Sequence, residues 1–98
     1  MIKISIKEEN KRIKEVIIKG HAFYDDFGKD IVCAAVSSIV ITTVNGIESI
    51  DKDAISYDEK GFIIKVLKDD DITNKLIDNM INLLKELSEE YPKNIKFL

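Results

Sequence analysis

The chain has 98 residues, which is room for one domain. Hydrophobic residues make up 45% and charged residues 34%, a balance that excludes disorder and suits one core under a solvated surface. With 15 Lys and Arg against 18 Asp and Glu the net charge is -3, so composition lends nucleic-acid binding no support and no direct nucleic-acid partner is expected.

Ile2, Ile4 and Ile6 alternate with Lys3, Ser5 and Lys7, the period of a half-buried strand. The same alternation lacks the continuous apolar core of a signal peptide. Glu8 to Lys11 is a polar turn. Ile13, Val16, Ile17 and Ile18 then resume an apolar pattern whose imperfect alternation predicts a bulge or burial on both faces. Together these segments read as a hairpin. The stretch GHAFYDDFGK, Gly20 to Lys29, breaks the pattern and reads as a loop. It is long for so small a domain, and long loops tend to be functional or mobile.

Asp30 opens the run IVCAAVSSIVITTVNGIESI. Its Ile, Val and Thr content favours a strand, but length decides against one. A strand from Ile31 to Val44 would extend about 45 Å, whereas a domain of this size has a radius of gyration of about 13 Å. A helix covers the same residues in about 21 Å. Asp30 is a suitable N-cap. Because the helix is apolar nearly all round, burial on more than one side is expected, by the sheet and by a partner subunit. The segment Ile31 to Val44 falls short of the roughly 20 residues that cross a bilayer and contains Ser37, Ser38, Thr42 and Thr43, so no membrane span is expected.

Ala54 to Tyr57 and Phe62 to Leu67 form a second hairpin, for which Gly61 can supply the left-handed turn residue. Asp69-Asp70-Asp71 places negative charge at the start of a second helix, where the macrodipole favours it. Ile72, Leu76, Met80, Leu83, Leu87 and Tyr91 follow helical spacing until Pro92, and Ile95 with Phe97 suggests a short closing strand. The order strand, strand, helix, strand, strand, helix, strand predicts one two-layer α/β (α+β) domain over residues 1–98. Two helices would pack on a mixed sheet of four to five strands.

The lone cysteine, Cys33, excludes an internal disulfide, and the expected location is the cytoplasm. It sits in the first turn of the expected helix. Backbone N–H groups there lack partners and carry partial positive charge, which favours a thiolate. A free cysteine is equally an ordinary small core residue. His21, the only histidine, lies between Gly20 and Ala22 at the end of a strand, where a surface loop histidine is also unremarkable. Together the two offer a nucleophile and its usual base. Asp30 caps the helix or orients His21, and it helps a thiolate only if it faces His21 rather than the sulfur. Ser37 follows Cys33 by four positions and shares its helix face, either near the site or bonded back to a helix carbonyl. Phe23, Tyr24 and Phe27 form either a lid or an apolar substrate pocket, or else pins that hold the loop to the core. One Cys and one His cannot fill a structural zinc site, and no CxxC or phosphate-binding glycine motif occurs, so no metal or cofactor is expected.

Gly20-His21-Ala22, Gly28 and Asp30-Ile31-Val32-Cys33-Ala34-Ala35-Val36-Ser37 resemble the signature of the ribosomal-processing cysteine protease family. The resemblance implies an endopeptidase that removes a short N-terminal extension from a large-subunit ribosomal protein, cutting after an aromatic residue in an apolar stretch. It implies catalytic roles for His21 and Cys33, with Gly20, Asp30 and Ser37 as the remaining motif positions. It also implies a homodimer without a cofactor. The competing readings are a ribosome-associated binding module of the same fold that recognises the precursor without cutting it, and a plain structural dimer whose cysteine fills the core.

Overall fold

In the computed structural model, which describes residues 1–26 and 30–98, β1 (Ile2–Glu9) and β2 (Arg12–Lys19) pair antiparallel. Asn10 and Lys11 join them with φ of 54° and 65°. Two successive left-handed residues match the right-handed twist of the strands. Lys7 faces Glu15 and Glu8 faces Ile13, so Lys14 is the extra residue of a bulge. This accounts for the broken alternation of β2. Ile13, Val16 and Ile18 all reach the core, while Ile17 lies half-buried on the opposite face.

β3 (Ile55–Asp58), β4 (Ile63–Val66) and β5 (Ile95–Phe97) complete a five-stranded sheet in the order β3-β4-β2-β1-β5. It is mixed, because β5 runs parallel to β1 and every other pairing is antiparallel. α1 (Ile31–Ile50) and α2 (Asp71–Glu90) cover one face. Ile4, Val16 and Ile64 of the sheet meet Val36, Val40 and Val44 of α1 and Ile77, Met80 and Leu84 of α2 in one core. The observed order is the one that periodicity predicts.

Four local expectations are refined by the structure. First, α1 continues six residues past Val44. At 20 residues it is long and apolar enough, by length and composition, to cross a bilayer, although here Val32, Val36, Val40, Val44 and Ile47 line the core. Second, in the single chain α1 is buried along that one stripe, and Ile31 and Ile41, 55% and 44% exposed, lie on the open face, the side left to the expected partner subunit. Third, the left-handed residue of the second hairpin is Phe62, with φ of 46°, and not Gly61. Fourth, the inward face of α2 carries Ile77, Met80, Ile81 and Leu84, while Ile72 and Leu83 are exposed. The apolar pattern of α2 is wide enough to admit two phases, and the polar Thr73 and Asn74 occupy the buried side at its start. There Thr73 Oγ1 and Asn74 Nδ2 bond to Asp70, and Asn74 Nδ2 also reaches Asp69. Of the aspartate triplet, Asp70 is the N-cap, accepting the Thr73 amide at 2.8 Å, and Asp69 and Asp71 are held by the two terminal nitrogens of Arg12 at 2.7 and 3.0 Å.

Candidate active site

The end of β2 and the start of α1 lie at one end of the molecule, and Gly20 makes the corner between them. Its φ is +93°, and a Cβ there would overlap the Met1 carbonyl oxygen. Any side chain would therefore meet both backbone strain and β1 itself. The chain leaves β2 at this corner, exposes His21, and buries Ala22 to 2% exposure.

Ala22 is the point of contact with the cysteine. Its N–H donates to Cys33 Sγ at 3.3 Å. Its carbonyl accepts the Asn94 side-chain amide at 2.9 Å. Ala22 is thus held through both of its backbone polar groups, the N–H on the sulfur and the carbonyl on the turn before β5. A second contact follows the same route, since Tyr24 packs edge-on against Tyr91 with ring centroids 5.4 Å apart.

Asp30 carries the third set of bonds. Oδ1 accepts the amides of Val32 and Cys33, both at 3.0 Å, and Oδ2 accepts the Tyr24 amide at 3.0 Å. One carboxylate therefore caps α1 and ties the loop to the helix start. Burial pushes its pKa up, but hydrogen bonds from the amides of Cys33, Tyr24 and Asp25 and from the Cys33 thiol outweigh burial and leave it lowered. Among the described residues no hydrogen bond joins Asp30 to His21. The carboxylate faces the helix start and the thiol, the orientation in which it does not assist a thiolate directly.

His21, Phe23, Asp25, Asp30, Cys33 and Ser37, with Ala34, line an open cleft of about 490 Å³. His21 packs edge-on against Phe23, centroids 5.8 Å apart, and no hydrogen bond links it to Cys33. Phe23 is 76% exposed with φ of 55°, so it stands in the cleft rather than in the core. Tyr24 sits against Tyr91 outside the cleft lining. Ser37 is half-buried in the wall one turn after Cys33, and its hydroxyl makes no hydrogen bond among the described residues, so the back-bonded alternative is not what the structure shows. Phe27 and Gly28 lie outside the described residues. Among the described residues no group of His, Cys, Asp and Glu is arranged to hold a metal ion.

The structure thus brings His21, Cys33, Asp30 and Ser37 to one cleft, with Gly20 as the corner behind it. Sequence reasoning did not single out Ala22 as a donor to the sulfur, nor Asn94 and Tyr91. Asn94 follows the residue after a helix-stopping Pro92, where a turn asparagine is ordinary, and nothing local marks it as a tether across the molecule.

Residues 1–96 match the family model described as Cysteine protease Prp. The chain is 32% identical to the ribosomal processing cysteine protease Prp of Staphylococcus aureus, over 97% of this chain and 93% of the relative. It is also 32% identical to the protein of the same name from Mycoplasma genitalium, over 97% and 92%. The crystal structure of the S. aureus protease with a covalently linked product peptide superposes with a TM-score of 0.87 at 30% identity, covering 99% of this chain and 97% of that one.

Proposed function

This chain belongs to the cysteine protease Prp family, and from that premise we propose that it is the protease that trims a short N-terminal extension from a large-subunit ribosomal protein, with Cys33 as nucleophile and His21 as base. The observation that supports this assignment is the single cleft that holds both side chains, with the Cys33 sulfur in the first turn of α1 under the Ala22 amide. A relative of the same fold that carries a covalently linked product peptide accords with a covalent mechanism.

His21 swings toward the sulfur and takes the thiol proton as Sγ attacks the scissile carbonyl. The resulting oxyanion needs a donor. The amides of Val32 and Cys33 are engaged by Asp30 and that of Ala34 by the Asp30 carbonyl, so these three are not the donor in this arrangement. The Ala22 N–H already points at the sulfur, and it takes the oxygen when the sulfur becomes bonded to carbon. His21 then gives its proton to the leaving amine. Water adds to the thioester, releases the acid and restores the thiol. Gly20 sets the corner, Asp30 fixes the loop on the helix start, and the unbonded Ser37 hydroxyl is available to the peptide. Phe23 contacts the aromatic side chain before the cut.

The protein works in the cytoplasm, where a lone cysteine stays reduced, and as a homodimer through the open face of α1. No cofactor enters the chemistry. The test is incubation of the reduced protein with the extended ribosomal protein of the same organism, read by mass spectrometry. A single truncation beside an aromatic residue is expected, absent with Cys33→Ala and with His21→Ala. An intact precursor in the presence of folded, reduced protein would replace the protease assignment with the binding module.

A further inference from the structure

The face of the sheet turned away from the helices carries a row of lysines that the linear sequence hides. Lys3 faces Lys19 across β1 and β2, and Lys96 of β5 is the partner of Lys3 on its other side. Lys96, Lys3 and Lys19 therefore stand side by side on three adjacent strands, and all three are exposed. Neighbouring strands lie about 4.8 Å apart, so the three ammonium groups fall within about one Debye length of each other. The next row on this face begins with uncharged Ser5 and Ile17, and the one after it sets Glu15 between Lys7 and Lys65. The ion pairs among the described residues use Arg12 and Lys68, so none neutralises the row. Like charges directly opposite one another in a sheet are destabilising. A chain of net charge -3 has gathered three positive charges where they repel.

We infer that this row is a docking surface for the phosphate backbone of RNA. A line of lysines matches a string of phosphates by charge. The row lacks aromatic side chains for stacking and planar forks for reading bases, so binding is independent of sequence. It lies at the end of the sheet where Lys19 leads through Gly20 to His21. RNA held there would keep the protease beside a substrate that belongs on RNA. Only this last point rests on the ribosomal reading. The binding itself does not, and its test contains no proteolytic step.

The test measures fluorescence anisotropy of a labelled oligouridylate of about 20 nucleotides, long enough to cross the row, on the full chain. Wild-type protein is expected to bind with a dissociation constant of about 1 to 100 µM at low salt, and log affinity should fall with log salt at a slope near -2, as three neutralised phosphates on a single strand require. Lys3→Glu puts a carboxylate between two lysines. It should raise the melting temperature through the new cross-strand pairs while weakening RNA binding about tenfold or more and flattening the salt slope. A misfolded variant cannot give that combination. Lys19→Gln should weaken binding without reversing charge. No binding by wild-type protein, or unchanged binding by both variants, overturns the proposal. So does binding to phosphatidylserine vesicles that is tighter than to RNA, which would make the surface a membrane contact.

Discussion

The Asn94 side chain reaches 72 positions back along the chain to hold the Ala22 carbonyl, and through that peptide it sets where the Ala22 N–H meets the Cys33 sulfur. It is a positioning residue, since it touches neither the sulfur nor the cleft lining. Asn94→Ala removes a hydrogen bond worth about 1 kcal/mol, which corresponds to roughly fivefold in kcat if the lost alignment is felt in the transition state. KM should be nearly unchanged, because the peptide contacts remain, and Cys33 should react more slowly with iodoacetamide at fixed pH. A purely structural role would instead lower the melting temperature and leave kcat per folded molecule where it was. The meeting of Cys33 and His21 at one cleft and the Asp30 cap were legible in the sequence, because residue type and neighbours in the chain mark them. Asn94 was not, because a long-range tether leaves no local pattern. The direction of the Asp30 carboxylate was also hidden, since a cap serves the helix equally whether its second oxygen turns to the loop or to His21.

Among the elements, α1 shows both what periodicity reveals and what it cannot. Its length argument holds, since a helix fits where a strand would not, and its N-cap is Asp30 as expected. Which side it turns to the core was not legible, because apolar residues surround the helix and the periodicity has no single phase. Val40 and Ile41 are neighbours with opposite fates, fully buried and 44% exposed. Val40→Ala should lose about 2 kcal/mol in urea unfolding, the cost of two buried methyl-sized groups and the space they leave. Ile41→Glu should cost the monomer little, since its site faces solvent. If the open face of α1 is the dimer seam, the same change places two carboxylates across it and converts a dimer to a monomer in sedimentation velocity. A wild-type monomer, or an Ile41→Glu dimer of unchanged affinity, would move the seam elsewhere or remove it. The phase of α2 teaches the same lesson from the other side. There Thr73 and Asn74 take buried positions because Asp69 and Asp70 satisfy them, and a reading that keeps polar residues outside rotates the helix the wrong way.

At the scale of the whole molecule, three carboxylates lie where segments distant in the chain are tied together, and this sets how the fold meets acid. Asp69 is lowered by its hydrogen bond from Asn74 first and by Arg12 after it, so it joins the start of α2 to β2. Asp51, at the end of α1, is lowered mainly by the Lys68 hydrogen bond at 2.8 Å, which links it to the segment after β4. Asp30 is lowered as described and holds the active-site loop to α1. A carboxyl whose pKa is lower in the folded state binds fewer protons there than in the unfolded chain. Its stabilising contribution is fully present above the ordinary carboxylate value of about 3.9 and is lost as pH falls through the lowered folded value. The partners do not alter this sign, since Arg12 and Lys68 are raised and stay charged throughout. The melting temperature should therefore be flat near neutrality and fall as pH drops below about 4, with Asp69→Asn showing a lower plateau and a shallower fall. Added salt should weaken the effect, because the ion pairs are exposed. A plateau that persists to low pH in wild-type protein would mean that these ties contribute nothing to the folded state. The net charge of the chain could not have forecast this. Composition counts charges, whereas the fold decides that Arg12 and Lys68 are answered by aspartates and that Lys3, Lys19 and Lys96 are left facing one another.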